Sequence, residues 1–295
     1  MAVNTVVKPE QETEPGLDLG RHLDEPITVI GARQGWGDLG IAELWSHREL
    51  MFFFIWRDLK VRYRQTVFGA AWAVMQPVLL MLIFTMSVGR IKGIGAAGIP
   101  YPLFAYAGLV PWTLFASSLS SASNSLVNAE GIITKVYFPR LILPFAAVGS
   151  FILDFLVAMS VLILLMLYYH AVPSLAIVWL PFFTLFALVT ALGVGTWLAA
   201  VNVRYRDVKY IVPFLTQAWM FASPVIYAST LIPKEWGWLY ALNPMAGVLT
   251  GFRWALVGGP SPDVLILVSA VASALVFVTG LIYFRHTEQT FADVI

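Results

Sequence analysis

Cysteine is absent from the 295 residues, so the chain offers no disulfide framework and no thiolate metal site. Charge is scarce: 12% of residues are charged and 59% hydrophobic, with a mean hydropathy of +0.78. That is far too apolar for an ordinary soluble domain of this length. No HExxH, no GxSxG and no Cys/His cluster occurs, so there is no catalytic residue and no metal ligand to nominate. Nor is there a GxxxxGK[ST] phosphate loop, and ATP cannot be bound by that route. If ATP drives this chain, another polypeptide holds the nucleotide and its Mg. A net charge of +1 says little about partners, and no nucleic-acid partner is expected.

What is present is a series of long apolar runs. In RDLKVRYRQTVFGAAWAVMQPVLLMLIFTMSVGR, a basic cluster (Arg57, Lys60, Arg62, Arg64) leads into an uncharged segment, Val67–Gly89, closed by Arg90 and Lys92. About 20 such residues match the hydrocarbon core of a bilayer. The same criterion predicts spans near Tyr101–Ser123, Leu141–Tyr169, Ala176–Val201, Tyr210–Leu231 and Val264–Phe284. Lys and Arg from Ile41 onward fall mainly on the side of Arg57–Arg64, with Arg90, Lys92, Lys234 and Arg253 on the other. The positive-inside rule then puts both termini in the cytoplasm. The expected fold is an all-α polytopic membrane protein with six transmembrane helices.

These spans hold almost no ionisable groups. Of 17 acidic residues only Asp154 lies within one, no Lys or Arg does, and His22, His47, His170 and His286 all fall outside. A proton- or sodium-coupled transporter normally needs an intramembrane relay, and one carboxylate is thin material for it. Two roles fit Asp154: a hydrogen-bonded packing residue or a coupling site.

Outside the spans, residues 1–40 are acidic and rich in Pro and Gly, and read as a solvated cytoplasmic arm with no cleavable signal. Residues 41–64 read as an amphipathic helix at the membrane surface. Leu44, Trp45, Met51, Phe52, Ile55, Trp56, Leu59 and Tyr63 share one arc of the wheel, into which Arg48 and Arg62 intrude. The alternative is that MFFFIW extends the first span. Arg57, Lys60, Arg62 and Arg64 either anchor the topology or attract a diphosphate at headgroup depth.

Residues 124–140, NSLVNAEGIITKVYFPR, form a cytoplasmic loop suited to insertion into a partner's cleft. Its candidate contacts are Asn128, Glu130, Lys135, Tyr137, Phe138 and Arg140, although Tyr-Phe before a span also suits an interfacial aromatic belt. Ser117, Ser118, Ser120, Ser121, Ser123, Asn124 and Ser125 make one end of the second span polar, either to line water or to let helices approach. Tyr106, Trp112, Phe115, Trp219, Phe221 and Tyr227 are candidates to stack on sugar faces in a channel. Residues 231–260 are apolar but carry Pro233, Gly237, Pro244, Gly247, Gly258 and Gly259, too many breakers for a span. A pair of half-depth outer helices accounts for them better, with Arg253 at the channel mouth or among headgroups.

Several blocks in order, RDLKVRYRQTVFGAAWAVMQP, YPLFAYAGLVPW, NSLVNAEGIITKVYFPRLILP, VNVRYRDVKYIVPFLTQAWMFASPVIY, LNPMAGVLTGFRWALVG and TFADVI, resemble the permease subunit of bacterial ABC exporters of polysaccharides. These are the O-antigen and teichoic-acid type, and the likeness covers residues 25–295. It implies a homodimer in the cytoplasmic membrane with two ATPase subunits, moving a glycan on an undecaprenyl-diphosphate lipid. It also implies a gate helix on 41–64, a permease domain on 65–295, a coupling helix on Asn128–Pro139 and re-entrant helices on Pro233–Gly258. Two readings stand beside it: an ABC permease for a small lipid or drug, and a membrane-bound glycosyl- or acyltransferase.

Overall fold

The computed structural model describes residues 41–64, 71–89, 91, 94, 95, 98–288 and 291. The expected arm at 1–40, the flanking Arg90 and Lys92, and most of TFADVI lie outside them. Among the described residues the chain is helical, with no strand. The helices are α1 (Ile41–Ser46), α2 (Arg48–Tyr63), α3 (Ala71–Ser87), α4 (Tyr101–Asn128), α5 (Glu130–Ile133) and α6 (Ile142–Gly149). They continue with α7 (Ile152–Tyr168), α8 (Leu180–Arg204), α9 (Val208–Ala222), α10 (Gly237–Ala241), α11 (Pro244–Val257) and α12 (Ile266–Glu288).

Among the described residues, four stretches are long and apolar enough to cross a membrane: Tyr101–Asn128, Ile142–Tyr168, Leu175–Arg204 and Ile266–Glu288. The helices at the first and fifth expected spans are shorter, with 17 residues in α3 and 15 in α9. At 1.5 Å per residue they reach only about 25 and 22 Å, against about 30 Å of hydrocarbon. The fifth departs most from expectation, since the helix expected to reach Leu231 stops at Ala222. Pro224 disfavours helical backbone at the residue before it, and Ser223 is extended at φ −110° and ψ 152°. The third expected span is also divided, at Ser150–Phe151, between α6 and α7.

Helix α4 is the centre. In its most apolar window 78% of residues are buried, against 22–33% in the other candidate spans, whose outer surfaces are left to lipid. Lipid tails give no hydrophobic drive between helices, so close packing of small residues must supply it. The chain places glycines where this packing is tightest. A Cβ at Gly195 of α8 would fall 2.6 Å from Ala122 of α4, and one at Gly193 would fall 2.7 Å from the backbone of Phe277 on α12. On the same α8–α12 seam the hydroxyls of Thr190 and Ser273 bond across 2.8 Å.

Helices α10 and α11 stand where half-depth helices are expected and are too short, at 5 and 14 residues, to span. Local chemistry sets the ends of α11. Asn243 caps it by accepting from the N–H of Met245, Pro244 occupies the first turn, and Gly258 ends it in the left-handed region at φ 72°.

Gly193→Ala therefore costs about 1–3 kcal/mol through overpacking and lowers the unfolding temperature in detergent. Gly131→Ala, where an added Cβ meets nothing within 4 Å, leaves it unchanged or raises it.

Candidate functional site

The chain's polar side chains gather at the end of the bundle where α2, the 124–140 loop and the last turn of α12 meet. Helix α2 is not the one-arc amphipath of the wheel. The chain is broken at His47, and α2 carries apolar groups on two faces. Phe54 is buried, with Met51 and Ile55 packed beside it toward α6. Phe52, Phe53 and Trp56 are exposed, as is Trp45 on α1. The second face suits the lipid interface, where an apolar face meets acyl chains. The first sits closely on the bundle: a Cβ at Gly149 would lie 2.8 Å from Ile55.

One polar knot fixes this packing. Arg62 forms an ion pair with Asp154 of α7 at 2.8 Å and donates to the hydroxyl of Ser150 at 2.7 Å. Its guanidinium also donates to the Ser150 carbonyl at 3.3 Å and lies 3.7 Å from the centre of the Phe151 ring. The hydroxyl of Tyr63 donates to the other carboxylate oxygen of Asp154. The break between α6 and α7 is thus where the surface helix is bolted on. Both oxygens of Asp154 thus have partners on α2.

The other basic candidates are placed differently. Arg57 pairs with Asp58 at 2.9 Å and lies over Phe54, and Lys60 lies over the Trp56 ring. Arg64, the residue after α2, is exposed. Beside the knot is a cavity of about 320 Å³, lined by Arg62, Tyr63, Trp72, Gln76, Thr113, Ser117 and Asp154 among others. Ser117 faces it, whereas Ser118, Ser123 and Ser125 are buried in helix packing. There Asn202 of α8 donates to the Ser123 carbonyl at 2.9 Å and to the Asn124 side chain at 3.1 Å.

The 124–140 loop presents one face outward and one inward. Asn128, Glu130, Lys135 and Tyr137 are exposed, Tyr137 at 79%, while Phe138 is buried with its ring 5.5 Å from that of Phe54. Arg140 binds the last turn of α12. Its guanidinium donates to the Glu288 carbonyl, and its backbone N–H donates to the Glu288 carboxylate at 3.1 Å. Glu288 pairs with Arg285 at 2.7 Å, and Arg285 pairs with Glu43 of α1 at 2.9 Å. Glu43, Arg285, Glu288 and Arg140 thus join the surface helices to the loop. Sequence reasoning missed Phe54, Glu43, Arg285 and Glu288, whose partners are distant in the chain.

The aromatic candidates divide. Tyr106, Trp112 and Phe115 are buried in the core, which removes them from any polymer-facing surface in this conformation. Trp219 is half-buried and donates to Asn243 at 2.9 Å, Tyr227 is half-buried, and Phe221 is 53% exposed. Arg253 of α11 is buried, and its guanidinium donates to the backbone carbonyls of Phe104, Pro224 and Val225.

Residues 49–257, from the first turn of α2 to the last residue of α11, match the family described as ABC-2 type transporter. The chain is 30% identical over 254 residues to the O-antigen export system permease protein RfbA of Myxococcus xanthus, covering 84% of this chain and 96% of that protein. It is 28% identical over 240 residues to an RfbA of Klebsiella pneumoniae, covering 81% and 92%. It is also 26% identical over 243 residues to the polysialic acid transport protein KpsM of Escherichia coli, covering 79% and 91%.

Asp154→Ala leaves a half-buried guanidinium unpaired and destabilises the chain more than the paired replacement Arg62→Met/Asp154→Leu. A double-mutant cycle on unfolding in detergent gives a coupling of about 1–2 kcal/mol between the two residues. Asp154→Asn, which removes the titratable group and keeps one acceptor oxygen at this site, retains transport.

Proposed function

We propose, from the premise that this chain belongs to the ABC-2 type transporter family, that it is the membrane subunit of an ATP-driven glycan exporter. Its cargo is a polysaccharide on an undecaprenyl-diphosphate lipid, an O-antigen, teichoic acid or similar surface glycan, moved across the bacterial cytoplasmic membrane. One observation carries this reading. Relatives named for O-antigen and for polysialic acid align over most of their own length and most of this chain, so the likeness spans the whole permease and extends across different glycans.

The physical chemistry supports a conduit that borrows its energy. Asp154, the single intramembrane acid, is committed to Arg62 and Tyr63, which leaves no relay for ion coupling. The ATPase dimer sits against the outward face of the 124–140 loop, with Tyr137 as the protruding knob and Asn128, Glu130 and Lys135 around it. Closure of that dimer presses on Phe138, which bears on Phe54 of the gate helix, and on Arg140, which bears on the end of α12. A push on the loop thereby reaches the gate helix and the bundle together.

The finer architecture follows from this reading. Six spans keep both termini cytoplasmic, with α9 completing its crossing through the non-helical residues after Ala222. Helices α10 and α11 re-enter from the outer side. Two copies of the chain enclose the channel. The exposed face of α9, with Tyr210, Phe214 and Phe221, supplies sliding contacts in place of the buried aromatics. Arg57, Lys60 and Arg64 receive the lipid's diphosphate, while Arg62 holds the gate helix.

A cell lacking this chain accumulates finished, lipid-linked glycan on the cytoplasmic side and loses surface glycan, as read by extraction and surface labelling. Unchanged surface glycan contradicts the proposal, and incomplete glycan points to an enzyme.

A further inference from the structure

Arg253 carries a positive charge in a place where charge is costly. It is 4% exposed, and among the described residues no carboxylate pairs with it. Its Nε donates to the Phe104 carbonyl at 3.3 Å, and its two terminal nitrogens donate to the carbonyls of Pro224 and Val225. The Phe104 ring lies against one face, 3.7 Å from the guanidinium carbon to the ring centre. The guanidinium carbon also lies 3.1 Å from where a Cβ on Gly108 would stand, so this position has no room for a side chain.

These contacts satisfy part of the group. A guanidinium has five N–H donors, and the three carbonyl bonds leave two. Carbonyl dipoles solvate a cation but leave its net charge in place, and a buried unpaired charge costs several kcal/mol. The remaining capacity has somewhere to go. Arg253 lines a cavity of about 250 Å³ together with Ser229, Thr230, Thr250, Gly258 and Gly259. No acidic residue lines it. The hydroxyls of Ser229 and Thr230 make no side-chain hydrogen bond among the described residues, and each has a proton to donate.

We propose that this cavity is a binding site for a phosphate-class oxyanion, held by Arg253 with the hydroxyls of Ser229 and Thr230. A tetrahedral oxyanion matches several convergent donors around one buried cation. A halide offers no directional acceptors, and a carboxylate offers only two oxygens. The cavity lies beside the N-terminal turn of α4 and the C-terminal end of α11. With the orientation given under Proposed function, that is outer headgroup depth. Two sources supply the chemistry there, free phosphate and the phosphodiester of a lipid headgroup. Only the lipid source rests on that orientation; binding itself does not rest on glycan export. An anion seated here would tie α4, α11 and the turn after α9 to one charge.

The test uses the full chain purified in phosphate-free detergent, with thermal unfolding read against inorganic phosphate, short-chain phosphatidylglycerol, acetate and chloride. A saturable rise with phosphate, with phosphatidylglycerol, or with both supports the site, and phosphatidylglycerol alone identifies a headgroup. Ser229→Ala/Thr230→Val leaves the Arg253 carbonyl bonds intact and weakens the apparent affinity about tenfold or more. No saturable rise with either phosphate probe overturns the proposal. An equal rise with acetate or chloride, or unchanged affinity in the double variant, does so as well. Glycan export is not read in this assay, so its failure leaves the exporter reading to its own test.

Discussion

The arrangement of the end of the bundle where α2 meets α6 and α7 depends on one ion pair. Asp154, in the first turn of α7, is spent on Arg62, 92 residues away, with Tyr63 on its other oxygen. A half-buried carboxylate is costly alone, and so is a guanidinium among apolar side chains; together they offset much of each other's desolvation. The bond sits at Ser150, where the chain pauses between α6 and α7 and the Ser150 carbonyl accepts from the same guanidinium. The surface helix is therefore docked at one defined register on a membrane bundle that otherwise offers it only grease. Apolar contact such as Ile55 on Gly149 is non-directional and could not by itself select that register.

The same economy holds elsewhere. Charged side chains are few, and those that are buried link elements. Arg253 gathers α11, α4 and the turn after α9; Arg140, Glu288, Arg285 and Glu43 gather the loop, the last helix and α1. Between these ends the bundle is held by small residues in close approach, Gly193 and Gly195 on α8 against α12 and α4. The interior carries cohesion and the ends carry polar connections.

How much of this was legible in the sequence follows from the range of each signal. Length and hydropathy are local, so the four long apolar helices, the helix breakers of residues 231–260 and the 124–140 loop could be read directly. The break after Ala222 was written in Ser223-Pro224, but a hydropathy run counts apolar residues and ignores backbone, so the fifth segment was expected to be longer than it is. The wheel for α2 assumed one apolar face; a helix that touches both bundle and lipid has two, and Phe54 was lost for that reason. Aromatic residues in spans look alike whether they face a channel or a core, and Tyr106, Trp112 and Phe115 turned out to face the core. The partners of Asp154, Arg253 and Arg285 are set by tertiary contacts across long separations, for which a single sequence carries no local sign.

The central claim is that this chain conducts and another polypeptide supplies the energy. The direct measurement places the purified chain in vesicles with lipid-linked glycan inside or outside, with and without its ATPase partner, and follows glycan crossing the bilayer on addition of ATP and Mg. Crossing that needs both the partner and hydrolysable ATP is the predicted result. Uphill crossing by the chain alone, or chemical alteration of the glycan by it, would contradict the account.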